Sequence, residues 1–200
     1  MQPAKINYKV YQGSTFKEVF RWESETKTYL KIQTIDKSAP CVVTTQTSPQ
    51  LPVGWRFWVR GAGGMKEINT ATDDAYYIAT NVNQVAKTIE INQVNSLGFT
   101  TYTTGGVVEY NNPIDLLSYS ARMQIRPSLD STEVIYSGTT DNGSIVLDNV
   151  YKTITITVPA TSTTNFTFTT AVYSMELYDN TGVVIPFLTG NMTLVPEVTR

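Results

Sequence analysis

Leu117-Ser-Tyr-Ser-Ala-Arg-Met-Gln-Ile-Arg126 alternates with a period of two: Tyr119, Ala121, Met123 and Ile125 on one side, Ser118, Ser120, Arg122, Gln124 and Arg126 on the other. Successive side chains of a strand point to opposite faces, so this segment is a strand with one buried and one wet face. Pro127 has no N–H to donate and ends it. The same period recurs downstream. Thr153–Val158 turns Ile154, Ile156 and Val158 inward and Thr153, Thr155 and Thr157 outward, and Pro159 closes it. Ser144–Leu147 is a short strand after the turn Asp141-Asn142-Gly143. Ala171–Asp179 places Tyr173, Met175 and Leu177 inside, and Asn180-Thr181-Gly182 reads as a hairpin turn into Val183–Leu188. A last strand, Met192–Val195, follows Gly190. The exception is Ala160–Thr170, ATSTTNFTFTT. It is poor helix material because β-branched Thr loses rotamer freedom in a helix, but it suits a crossover with one short turn. Strands that fold back on one another in this way predict an all-β chain built on an immunoglobulin-like β-sandwich.

Upstream, Ile6–Gln12, Ser14–Trp22 and Tyr29–Ile35 read as strands. Phe16, Phe20 and Trp22 share a face that Glu18 interrupts, so a bulge or a partner for Glu18 is expected there. Residues 36–52, DKSAPCVVTTQTSPQLP, hold three prolines, and Asn111-Asn112-Pro113 is a second break. The breaks bracket Val53–Tyr110, with two Trp, four Tyr and two Phe among paired glycines. The expected organisation is a discontinuous sandwich of residues 1–36 with 113–200, and an inserted domain over 37–112 that forms a small β-barrel or sandwich. Trp55 and Phe57 share one strand face and Trp58 takes the other. The insertion's own core needs most of these aromatics, which leaves one of Trp55 and Trp58 for an outer surface or a domain interface. Trp55, Trp58 and Arg60 are therefore the candidate contacts for a protein partner or a glycan.

Charged residues make up 16% of the chain, against about 25% in ordinary soluble domains. The net charge of −2 gives no pull toward nucleic acid or anionic lipid. The charge is uneven: residues 1–40 hold seven Lys/Arg against four Asp/Glu, and the remainder eight against thirteen. Two readings fit, lysines guarding a sheet edge or a basic segment pairing head to tail with a neighbouring copy. The chain has no histidine, which removes the commonest general base and metal ligand. The single Cys41 excludes an internal disulfide and a Cys/His zinc site, and fits synthesis in a reducing cytosol. Asp73 and Asp74 are adjacent and so point apart rather than chelating. Gly61-Ala62-Gly63-Gly64 lacks the Lys-Ser/Thr pair of a phosphate loop and reads as a turn. No Gly-x-Ser-x-Gly elbow is present, and Glu67, Glu90, Glu109, Asp115, Glu133 and Glu176 have no special setting. These features predict no enzyme activity, no cofactor and no metal. MQPAKINYKV lacks the apolar core of a signal peptide, and no run approaches the ~20 apolar residues of a membrane helix, so no membrane insertion is expected.

The ending YSMELYDNTGVVIPFLTGNMTLVPEVTR (173–200) resembles the close of a β-sandwich module found in bacteriophage virion proteins. It keeps Tyr173, Glu176-Leu177, Gly190 and Pro196-Glu197-Val198-Thr199-Arg200, and departs at Ser174 and Met175, where the family often has Asp and Leu. SYSARMQIR (118–126) is similar to the module's entry strand. A second phage element resembles Phe57–Val59, Gly64–Asn69, Tyr76-Tyr77, Ile89–Ser96 and Phe99–Gly106. That pattern is also similar to the first catalytic-cysteine half-domain of ubiquitin-activating enzymes, a likeness that carries fold and not activity. The resemblance implies a virion structural protein in the tail, neck or baseplate, assembled in the host cytoplasm. It would dock on the shaft and link it to fibres, to neighbouring virion proteins or to copies of itself. A host-receptor or glycan-binding module of the tail, and a capsid decoration protein, are the alternatives.

Overall fold

The computed structural model describes residues 2–198; Thr199 and Arg200 of the Pro-Glu-Val-Thr-Arg ending lie outside the described residues. The chain is all-β and forms two compact units, one from the residues up to Arg21 together with those from Asp115 on, the other Trp22–Ile114. Strands β1 (Ala4–Lys5), β2 (Tyr8–Tyr11) and β3 (Phe16–Arg21) open the first unit. Strands β4 (Glu23–Ile35), β5 (Cys41–Thr45), β6 (Arg56–Arg60), β7 (Tyr77–Ile78), β8 (Asn81–Asn83), β9 (Thr88–Ile91) and β10 (Val107–Pro113) make the second. Strands β11 (Tyr119–Arg126), β12 (Tyr136–Thr139), β13 (Ile145–Asp148) and β14 (Thr153–Val158), the one-turn helix α1 (Ala160–Thr163), β15 (Thr170–Asp179) and β16 (Val184–Val195) complete the first.

The first unit is a two-sheet sandwich. One sheet runs β12–β11–β15–β16, with β1 and β2 parallel on the far edge of β16; the other runs β13–β14–β3. This is the immunoglobulin-like division of strands, and the second unit is inserted in the connection from β3 to β11. The alternation read in the sequence is the packing: Ala121, Met123, Ile125, Tyr173, Met175 and Leu177 are buried from one sheet, Ile154, Ile156 and Val158 from the other. Each such aliphatic side chain contributes about 1.5–3 kcal/mol by leaving water. Tyr8 meets Phe16 edge-on at 5.1 Å, and Phe20 meets Phe187 at 6.2 Å, tying β2 and β16 to β3. At the other flank the Tyr136 hydroxyl lies 2.8 Å from Ser144 Oγ.

Three expectations change in this unit. Gly190 does not divide the last stretch into two strands; β16 runs through it. The N-terminal run pauses opposite Gly190, where the Ile6 N–H donates to the Thr189 carbonyl (2.9 Å) and the Tyr173 hydroxyl to the Ile6 carbonyl (2.9 Å). A Cβ on Gly190 would lie 1.8 Å from the Ile6 oxygen, so glycine is what lets the two backbones cross this closely. Glu18 makes no bulge, since β3 pairs with β14 without a break from Phe16↔Val158 to Arg21↔Thr153. It has phenol neighbours instead: burial first and the Glu18 charge second push the Tyr8 hydroxyl up to about 12, and Tyr173 is raised by burial and by Tyr8, with Glu18 contributing less. Strand β12, not read in the sequence, pairs with β11.

The second unit is one sheet in the order β7–β6–β10–β4–β5–β9–β8. Its edge strands, β7 and β8, are halves of one bent segment, Tyr77–Asn83. Ala79 donates to the Trp55 carbonyl on one side (2.9 Å), and Thr80 donates to the Glu90 carbonyl on the other (2.9 Å). The bent segment thus joins the two ends of the sheet, which curls around one core in the manner of a small barrel. A single core fills it, from Leu30 and Ile32 on β4 through Cys41, Val43, Trp55, Phe57, Val59, Ile89, Ile91, Val108 and Tyr110.

The boundary at residues 36/37 is corrected. Strand β4 was expected in the sandwich, but it pairs with β10 and β5 and delivers Leu30, Ile32 and Ile35 to the barrel core. The units divide at Arg21/Trp22 and Ile114/Asp115. The proline-rich stretch likewise contains β5, which begins right after Pro40.

Candidate functional site

Strand β6, Arg-Phe-Trp-Val-Arg, turns Phe57 and Val59 into the barrel and Arg56, Trp58 and Arg60 outward. Its neighbour β10 sets Glu109 opposite Trp58, and β4 sets Tyr29 opposite Glu109, so the outward groups of three strands converge. Trp58 is only 3% exposed. Its ring is covered by the Lys27 ammonium and the Arg56 guanidinium, 5.1 and 5.5 Å from the centroid, and its Nε1–H donates to the Asp73 carbonyl (2.9 Å).

The cations over that ring are themselves held by acids. Glu23 grips Arg56 with both oxygens, Nε to Oε1 at 2.8 Å and Nη2 to Oε2 at 2.7 Å. Glu109, nearly buried, accepts from Lys27 Nζ at 2.5 Å and lies 3.8 Å from Arg60 Nε. The hydrogen bond to Glu109 outweighs desolvation and holds the Lys27 ammonium above its ordinary pKa. Arg60 also donates to Asp73 Oδ1 (2.6 Å) and to the Thr70 carbonyl. Every charge in this cluster has an opposite partner, so the face offers no unpaired base or acid for chemistry. Tyr29 and Tyr76 remain exposed, and Arg56 lies 5.9 Å from the Tyr76 ring.

The structure brings Trp58 and Arg60 together and sends Trp55 elsewhere. Trp55 is fully buried in the barrel core and donates to the Asn111 carbonyl at 2.8 Å. The expectation of a spare tryptophan face is corrected: Trp58 is on the outer side of β6, as alternation requires, but Lys27 and Arg56 cover it, and neither indole presents an open ring for a sugar to stack on. Sequence reasoning missed Lys27, Glu23, Arg56 and the organising Glu109. The signal for Glu109 was available, since it is a lone acid between Val108 and Tyr110 in an alternating strand.

The other candidates are used locally. Gly64 has φ +77°, and a Cβ there would lie 2.2 Å from the Thr101 oxygen, so the Gly-rich stretch is a close backbone crossing. Several N–H groups in and just after it are taken as well, Ala62 by Asn69 Oδ1, Gly63 by Thr104, Met65 by Gly63 and Lys66 by Gly64. Glu67 accepts from the Thr100 N–H and hydroxyl. Glu176 pairs with Arg122, which also faces the Tyr178 ring at 5.6 Å. Cys41 is fully buried, and burial pushes its thiol up, away from the reactive thiolate. Among the described residues no group of three His, Cys, Asp or Glu is placed to hold a metal ion, and no helix is long and apolar enough to cross a membrane. A scan against protein-family models and a search of curated proteins each found no match.

Proposed function

We propose that the chain is a structural protein of a bacteriophage virion, part of the tail, neck or baseplate, which docks on the shaft and links it to fibres or neighbouring proteins. The observation that carries this reading is where the two resemblance-bearing stretches fall. The described part of Tyr173–Arg200 supplies most of the β15–β16 hairpin of the sandwich's larger sheet, and residues 57–106 lie within the second unit. Each stretch is thus a piece of a coherent unit. A second compact unit inserted in a sandwich suits a part that is held by one module and presents another. The glycan-binding alternative loses the stacking tryptophans on which it was built.

Gold-labelled antibody against the chain, applied to particles purified from cells that produce it, tests the reading. Label on tails or necks is the expected result. Label spread over heads would replace it with capsid decoration. Chain found only in the particle-free fraction would overturn it.

A further inference from the structure

The sandwich has two open flanks, and they carry opposite charge. One is formed by β1 and β2 at the edge of the larger sheet and β3 at the edge of the smaller; the other by β12 and β13 with the loops that lead into them. On the first, Lys5, Lys9 and Lys17 are exposed and have no ion pair among the described residues. Glu18 is turned toward Tyr8 and Tyr173, and Glu197 lies beside Gln12. On the second, Asp130, Glu133 and Asp141 are exposed and have no ion pair, and no Lys or Arg occurs from Pro127 to Tyr151. The unit's remaining described basic residues are engaged: Arg21 has a partner, and Arg122 is held by Glu176, Lys152 by Asp115 and Asn149, and Arg126 by Gln124 and the Ser131 carbonyl. Apolar side chains accompany both sets, Tyr11 and Val19 (58% and 50% exposed) on the basic flank, Leu129 and Val146 (86% and 53%) on the acidic one.

We propose that these flanks bind each other between copies of this chain, the basic flank of one copy seating on the acidic flank of the next. It rests on the reading above that the chain is a virion structural protein, and it names a contact between copies. Charge complementarity selects a second copy as the occupant, because the unpaired cations on one side of the molecule are matched by unpaired anions on the other. The contact is between side chains and not between strand backbones: Asn142 caps the free edge of β12, its Oδ1 accepting from the Thr139 N–H and its Nδ2 donating to the Ser137 carbonyl. The two surfaces differ, so the contact is heterologous. It does not stop at a two-fold dimer but continues into a ring or a filament.

Sedimentation velocity on the full 22.2 kDa chain tests this. The expected result is species beyond the dimer that grow with concentration, with association about tenfold weaker in 0.5 M than in 0.05 M salt. A triple variant Lys5→Glu, Lys9→Glu, Lys17→Glu makes both flanks acidic; Asp130→Lys, Glu133→Lys, Asp141→Lys makes both basic. Each alone is expected to be a monomer, while an equimolar mixture associates. Circular dichroism confirms that each variant is folded, and the salt series on the natural chain decides the matter if one is not. A natural chain that stays monomeric at low salt, or triple variants that associate as the natural chain does, would overturn the proposal. A chain present in tails but monomeric in solution would refute the flank contact and leave the virion reading standing.

Discussion

Replacing Gly190 by alanine should loosen the N-terminal strand from the sandwich. The new methyl carbon would start 1.8 Å from the Ile6 oxygen and 2.8 Å from the Ile6 carbonyl carbon. A carbon–oxygen contact needs about 3.3 Å, so Ile6 must retreat by about 1.5 Å. Three hydrogen bonds stretch out of range: Ile6 N–H to Thr189 (2.9 Å), the Tyr173 hydroxyl to Ile6 (2.9 Å), and Asn191 N–H to Asn7 Oδ1 (3.0 Å). At about 1 kcal/mol each, and allowing for local relaxation, the cost is about 2–4 kcal/mol, a large part of a typical domain's 5–15. Hydrogen exchange read by mass spectrometry should show protection over residues 4–11 falling by roughly 30-fold or more, with β11 and β14 less affected. Tyr173→Phe removes one of the three bonds without a clash and should cost about 1–2 kcal/mol. Unchanged protection in Gly190→Ala, or a Tyr173→Phe penalty as large as that of Gly190→Ala, would refute the argument that close backbone approach demands this glycine.

Glu109→Ala strands Lys27, leaves Arg60 to Asp73, and should destabilise the barrel by about 1–2 kcal/mol; a double-mutant cycle with Lys27→Met that finds no coupling would contradict this. Asp179 is held below its ordinary carboxyl pKa, chiefly by the Thr181 hydroxyl and then by the backbone N–H groups of Val183, Thr181 and Gly182. The folded value is depressed, so its support of the β15–β16 turn is present above the unfolded value, about 3.9, and is lost as pH falls through the folded one. The amide resonances of Thr181 and Val183 should therefore titrate together below about pH 4. Cys41 should resist a thiol reagent in the native protein and react once the barrel is unfolded by urea, and prompt labelling under native conditions would disprove its burial.

How legible the fold was depended on whether pairing is local. The strands Tyr119–Arg126, Thr153–Val158 and Thr170–Asp179 declare themselves, because each has one dry face and one wet face and the burial follows that alternation. Strand β4 is a strand by the same rule, but its affiliation is set by partners more than seventy residues away on β10, such as Val108 for Leu30, and no local pattern encodes that. Closure of the barrel rests on the two sides of the Ala79–Thr80 bend, also invisible to periodicity. At the candidate site, alternation set Trp58 opposite Trp55 and Phe57 but left open which of the two tryptophans faces outward. The burial of Trp58 comes from Lys27 and Arg56 folding over the ring, a feature of long side chains rather than of strand spacing.

The parallel pairing of β1 and β2 with β16 has a mechanical side. Tension between the Ala4 end and the Val195 end would pull these strands lengthwise past each other, since they run in the same direction. All their hydrogen bonds would then be loaded at once, and rupture would require breaking them together. At the mouth of the barrel, β4 and β10 run in opposite directions and meet at Glu23 and Pro113, so a pull applied to those two ends would open them one bond after another. Because β1, β2 and β16 stand directly between Ala4 and Val195, the inserted barrel carries no load until they part.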